Sequence, residues 1–169
     1  MPDLYASLQE WGIPYQTFSH PAVFTCEESD RLCPPMPGAH TKHLLLRDKK
    51  GKRHVLAIVM HDKKVNIREL GRMLDVKDLS FASAERLKRL LGVEPGSVTP
   101  LGLIFDEKNE VEVIIDEDAW NIGQFRFHPL VNTATLVINR QGFEAFLQHT
   151  NHPHTVVHIP HIAPDNEGR

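Results

Sequence analysis

A chain of 169 residues, 41% apolar and 24% charged, has the composition of one ordinary soluble globular domain rather than a disordered or low-complexity segment. Its longest apolar stretch, residues 55–60, falls far short of the ~20 residues that cross a bilayer, which excludes a helical membrane span. The formal net charge of −3 hides an asymmetry: 14 of the 19 Lys and Arg lie between Lys42 and Arg89 among six acids, while seven acids crowd between Asp106 and Asp118. The basic middle could form a face that meets phosphates, or simply a solvated hairpin tip around residues 48–53.

In chain order, Leu4, Leu8 and Trp11 share one helical face, and Gly12 is placed to stop that helix. Residues 15–18 read as a strand leading into the loop His20-Pro21-Ala22. Thr25 and Glu28 have capping-box spacing, predicting a short helix to about Leu32. Residues 33–38, with three prolines, cannot continue it and form a loop, either a lid or a rim. Residues 44–46 and 54–60 are predicted strands joined at residues 48–51, their continuous apolar character calling for burial on both faces. Asn66 caps a helix carrying Ile67, Leu70, Met73 and Leu74; Ser83 caps a second, with Leu87, Leu90 and Leu91, closed by Gly92. Residues 101–105 and 111–115 read as a strand pair around Glu107-Lys108-Asn109. Further strands are predicted over residues 124–127, 133–138 and 155–159, with a helix capped by Asn139 and bearing Phe143, Phe146 and Leu147. The irregular interleaving predicts an α/β fold, a single domain over residues 1–163 with a mixed sheet wrapped by helices, and a tail over residues 164–169.

No G-x-S-x-G elbow, P-loop, H-E-x-x-H or G-x-G-x-x-G is present, which removes the commonest enzyme classes. Cys26 and Cys33 lack metal-ligand or disulfide-framework spacing and are expected to be reduced thiols. The first five residues do not read as a secretory signal, so a cytoplasmic location is expected. His149, His152, His154, His158 and His161 fit no tetrahedral pattern, and no metal is expected. Three features remain. Lys42, at the head of an apolar strand, either snorkels to water or places a cation at a pocket mouth. Gly96-Ser97-Val98-Thr99-Pro100 is either a connector or a rigid loop whose backbone approaches a small substrate. His128, followed by Asn132 and Thr133, offers one imidazole and polar groups at a strand edge.

Three runs of residues carry a resemblance. The first is His20-Pro21, Thr25-x-x-Glu28, His40-Thr41-Lys42 and Leu46-Arg47-Asp48-Lys49-Lys50-Gly51. The second spans residues 79–102, including Leu79-Ser80-Phe81-Ala82-Ser83 and Pro95-Gly96-Ser97-Val98-Thr99-Pro100. The third is Phe127-His128-Pro129-Leu130-x-Asn132-Thr133-Ala134-Thr135. In order and spacing they resemble the YbaK/ProX superfamily, most of all its ProX (ProXp-ala or PrdX) branch, freestanding relatives of the editing domain of bacterial prolyl-tRNA synthetases. The resemblance covers about residues 15–150. It implies hydrolysis of the ester joining a wrong amino acid to tRNA, above all alanine on tRNA(Pro), without a cofactor. A synthetase site loses only ~1–3 kcal/mol of discrimination per missing apolar group, so a second, size-selective pocket has a clear purpose.

By the same resemblance, Lys42 is the essential cation and His128 a catalytic or positioning group. His43, Gly96, Ser97, Val98, Thr99, Pro100, Asn132 and Thr133 would line the aminoacyl pocket. Lys49, Lys50, Lys63, Lys64 and Arg86 would meet the tRNA acceptor end. Mischarged tRNA is the expected partner, with prolyl-tRNA synthetase a second candidate. His43 stands where the family usually has Asn, which bears on the amino acid removed. Three alternatives stay open: a deacylase for serine or cysteine, a catalytically silent tRNA- or synthetase-binding module of the same fold, and a hydrolase of another small acyl ester, against which the basic region from Lys42 to Arg89 weighs.

Overall fold

Asp3 opens helix α1 (Leu4–Glu10): its carboxylate accepts the Ala6 amide at 3.1 Å, and Leu4 and Leu8 turn inward. Gly12, at φ 68°, ends the segment in the left-handed region that glycine enters without strain. The computed structural model describes residues 2–22, 31, 33 and 35–162. Most of the helix expected from Thr25 and Glu28 to Leu32, and the tail over residues 164–169, lie outside the described residues.

Two sheets carry the fold. The larger is five-stranded in the order β4-β2-β3-β5-β8, formed by β2 (Thr41–Arg47), β3 (His54–Met60), β4 (Ser80–Phe81), β5 (Val111–Asp116) and β8 (His154–Val157). Strands β2 and β3 are an antiparallel hairpin, whereas β3, β5 and β8 run parallel, so the sheet is mixed. The smaller sheet, in the order β1-β7-β6, is antiparallel and joins β1 (Gln16–Ser19), β6 (Gln124–Phe127) and β7 (Ala134–Asn139). Ala39 couples the two by bridging to Phe125: its amide donates to the Gln124 carbonyl at 2.8 Å.

Strand β3 is central, and its apolar run is buried on both faces, as the sequence required. Leu56 and Ile58 face the main core, which contains Phe125, Phe127, Phe143 and Phe146. Val55, Ala57 and Val59 face a second cluster covered by α2 (Ile67–Met73) through Leu70. The three predicted caps form as expected. Asn66 receives the Glu69 amide, Ser83 the Arg86 amide of α3 (Ala84–Leu91), and Asn139 the Gly142 amide of α5 (Arg140–His149). Each satisfies a backbone donor that the first turn of a helix cannot pair internally.

Residues 101–105 depart from the prediction. They form a 3-10 helix, Pro100–Phe105, not a strand. Proline starts the turn, the Thr99 hydroxyl accepts the Leu101 amide at 3.3 Å, and Gly102 packs where an added Cβ would sit 2.5 Å from the Leu91 carbonyl oxygen. An apolar run therefore coils against α3, and β5 finds its partners in β3 and β8 instead. A second difference is α4 (Glu117–Ile122), which follows β5 directly and ends at Gly123, φ 87°. Its acidic first turn suits a helix N-terminus, but one short element offers no repeating apolar stripe to read.

Candidate active site

Strand β2 changes partners along its outer edge. Its last residues, Leu46 and Arg47, pair with β4, while Ala39, just before its start, bridges β6. The loop of Gly96, Ser97, Val98 and Thr99 is tied to the strand between these two. Because side chains alternate along a strand, Thr41, His43 and Leu45 share the face turned to the main core. His43 donates from Nδ1 to the Val98 carbonyl at 3.0 Å, and its Nε2 accepts from the Thr41 hydroxyl at 2.8 Å. The ring meets Phe127 edge-on at 5.5 Å. One residue later Thr99, fully buried, donates its hydroxyl to the His128 carbonyl at 2.8 Å. Gly96, at φ 87°, supplies the left-handed turn that starts this loop.

His128 in turn points Nδ1 at the Ala134 carbonyl, 3.3 Å away, which leaves Nε2 carrying a lone pair. Its ring stands at 71° to that of His20, whose Nε2 accepts from Thr135 at 2.8 Å. Thr133 holds the same corner by accepting the His20 amide at 3.0 Å, with Asn132 half-buried beside it. On the near rim, Met36 is buried, and the Arg126 guanidinium clasps the Met36 and Pro37 carbonyls. The described part of the proline-rich loop is therefore tied to β6.

Lys42 is not on the His43 face. It pairs with Val59 and so belongs to the side of the sheet covered by α2. It is half-buried and has no hydrogen-bond or ion-pair partner among the described residues. The cations expected to meet tRNA divide as well. Lys50 and Lys64 are exposed, and Lys49 lies loosely near Asp78 at 3.9 Å. Lys63 turns inward to Asp116 at 2.9 Å, and Arg86 is occupied by the Gly51 carbonyl and His54.

Residues 20–146 match the family model of the aminoacyl-tRNA editing domain. The chain belongs to that family. A Xenopus laevis protein named prolyl-tRNA synthetase associated domain-containing protein 1 is 37% identical over 161 residues, spanning 93% of this chain and 95% of its own. The prolyl-tRNA editing protein ProX of Acetoanaerobium sticklandii is 34% identical over 143 residues, 85% of this chain and 87% of its own. A solved structure described provisionally as a trans-editing enzyme for prolyl-tRNA synthetase superposes with a TM-score of 0.71 at 19% identity, covering 94% of this chain and 95% of that one. The expected YbaK/ProX membership and the mixed α/β editing-domain fold are both borne out.

In this editing domain the pKa values of His43, His128 and His54 are depressed. Burial is the main reason the His43 pKa falls to about 3, outweighing the Val98 carbonyl, with His128 and His40 lowering it further. Burial likewise lowers His128 and His54 below the usual histidine value, against the pull of the Ala134 carbonyl on His128. A depressed folded-state pKa adds stability above the unfolded value of 6.5 and loses it as pH falls, because the unfolded chain then takes up protons that the folded one refuses. The urea midpoint is therefore expected to drop between pH 7.5 and pH 5, and less steeply in His43→Asn. A midpoint indifferent to pH over that range would contradict the depressed pKa values of these rings.

The five C-terminal histidines are dispersed among different partners. His149 stacks on Trp11, His152 is buried against Asp106, His154 lies by Trp120, and His158 meets Glu117 and His161. Among the described residues no group of three or more His, Cys, Asp or Glu is placed to hold a metal ion, and no helix is long and apolar enough to cross a membrane. Thr41 and His20 are site residues that the sequence reading left without a role. The Thr-x-His spacing in an apolar strand, which puts both side chains on one face, was the available signal for Thr41.

Proposed function

We propose that this chain is a trans-editing deacylase that hydrolyses mischarged aminoacyl-tRNA, with Ala-tRNA(Pro) as substrate. The observation that carries the proposal is the pairing of a half-buried lysine lacking a partner among the described residues, Lys42, with an immediate neighbour, His43, bonded to the loop of Gly96 to Pro100. A cation without a partner among the described residues, on the strand that tethers this loop, suits an ester whose carbonyl oxygen gains charge as water attacks. Lys42 lies on the other face of β2 from His43, so its four-carbon stem would pass the strand edge that β4 leaves unpaired at this end.

In this scheme water adds to the ester carbonyl carbon, and the tetrahedral oxyanion forms within reach of the Lys42 ammonium. The carbon–oxygen bond to the terminal ribose then breaks. The ribose oxygen leaves with one proton of the water, the other passes to solvent, and the amino acid departs as its carboxylate. The neighbouring ribose hydroxyl orients the water, so no protein nucleophile is needed. His128, neutral and with Nε2 free to accept, positions the water or the substrate ammonium. Val98, Thr99 and Pro100 wall the acyl pocket with Gly96 and Ser97 at its mouth, and Asn132 and Thr133 flank His128. The exposed Lys49, Lys50 and Lys64 would meet acceptor-end phosphates, with prolyl-tRNA synthetase as a further partner in the cytoplasm.

The test is deacylation of Ala-tRNA(Pro) beside Pro-tRNA(Pro) and Ser- and Cys-charged tRNAs. Selective loss of alanine is expected. Turnover of the serine or cysteine ester instead would move the specificity and keep the chemistry. Salt-sensitive tRNA binding with no ester turnover would make the protein a silent binding module of the same fold.

A further inference from the structure

Two consecutive residues of the pocket loop are hydrogen-bonded to groups from elsewhere in the fold. The Val98 carbonyl receives the His43 Nδ1–H at 3.0 Å, across 55 residues of sequence, and Thr99 sends its hydroxyl to the His128 carbonyl at 2.8 Å. The second bond is made by a fully buried threonine. The first depends on an imidazole ring, and an imidazole can donate from either nitrogen. The Val98 carbonyl, which only accepts, makes Nδ1 the donor, and what holds the ring in place behind that bond is the partner of the other nitrogen.

That partner is Thr41. Its hydroxyl lies 2.8 Å from Nε2, and the residue is only 6% exposed. Residues 41 and 43 share one face of β2, so the contact is built into the strand. Phe127 bounds the ring edge-on at 5.5 Å. With Nε2 accepting from Thr41 and Nδ1 donating to Val98, the ring is a directional link from β2 to the loop. Its cost of removal is that of a buried hydrogen bond left half-made.

We propose that Thr41 is a positioning residue that, through His43, holds the Gly96–Pro100 loop at a fixed distance from β2 and so sets the largest acyl side chain the pocket admits. The size-limiting part rests on the deacylase reading above; the tether itself does not. In the tethered loop the Val98 carbonyl already accepts from His43, which leaves one lone pair for a substrate. A loop held at a fixed distance selects by volume, which suits discrimination between a methyl side chain and a bulkier one.

Thr41→Val removes the donor at nearly constant volume, and Thr41→Ser keeps it. Amide hydrogen exchange of Ser97, Val98 and Thr99 is the substrate-free readout. Exchange about 5-fold faster in Thr41→Val, restored in Thr41→Ser, is expected for the loss of one buried hydrogen bond. Unchanged exchange in Thr41→Val overturns the tether. The second readout is the affinity ratio for non-hydrolysable 3′-alanylamino- and 3′-prolylamino-adenosine, expected to fall about 5-fold in Thr41→Val and to recover in Thr41→Ser. Faster exchange with an unaltered ratio overturns the size limit and leaves the tether. A wild-type protein that binds neither analogue overturns the aminoacyl pocket, with the exchange result still deciding the tether.

Discussion

Lys42→Ala is expected to lower kcat/KM for deacylation about 10²–10³-fold while the urea midpoint stays near that of wild type, the loss typical of removing one preorganised group that faces a developing oxyanion. Two features support so large an effect with so little cost to the fold. The ammonium carries no ion pair or hydrogen bond among the described residues, so nothing there is orphaned when it goes. The backbone of residue 42 keeps its pairing with Val59, which does not depend on the side chain. Lys42→Arg tests geometry rather than charge, since a planar guanidinium does not replace a compact ammonium at a tight site. Activity in Lys42→Ala within a few-fold of wild type would remove this residue from the mechanism.

Lys63→Ala is expected to cost about 3–5 kcal/mol of stability, because it leaves a buried carboxylate without its cation. Asp116 is fully buried and Lys63 nearly so, at 0% and 8% side-chain exposure. The Lys63 ammonium also donates to the Ile159 carbonyl at 2.7 Å, while Asp116 accepts the Ile159 amide at 2.8 Å. The pair thus binds the turn after β3, the end of β5 and the segment after β8. One sequence position away, exposed Lys64→Ala should shift stability by no more than about 0.5 kcal/mol. Urea unfolding of the two variants decides the matter. Equal midpoints would mean that Lys63 faces solvent, available for the RNA contact first expected of it.

The three helix caps, the β2–β3 hairpin, the strand at residues 124–127 and the α/β class were legible because each depends on neighbours within a few residues. A cap is an oxygen three residues from the amide it satisfies, and an apolar run such as residues 54–60 states its own need for burial. Family membership was legible too, because three runs of motif residues stand in register along residues 20–135, within the matched span. The site was legible in part. His43, Val98, Thr99 and His128 are brought together. Lys63 and Arg86 were indistinguishable by composition from Lys50 and Lys64, though the first two are occupied by structural partners.

Most of the coiling and extended segments follow from the sequence alone, since periodicity, capping and turn chemistry act over short range. The tertiary structure decided what needs a distant partner. Residues 101–105, apolar enough for a strand, became a 3-10 helix packed so closely on Leu91 that a Cβ at Gly102 would lie 2.5 Å from its carbonyl oxygen. Lys63 became a buried ion because Asp116, 53 residues away, waits at the end of β5. His43 became a neutral tether because the Val98 carbonyl and the Thr41 hydroxyl meet its two nitrogens. In each case the deciding energy, steric exclusion, desolvated charge or a satisfied buried hydrogen bond, exists only once the chain has folded.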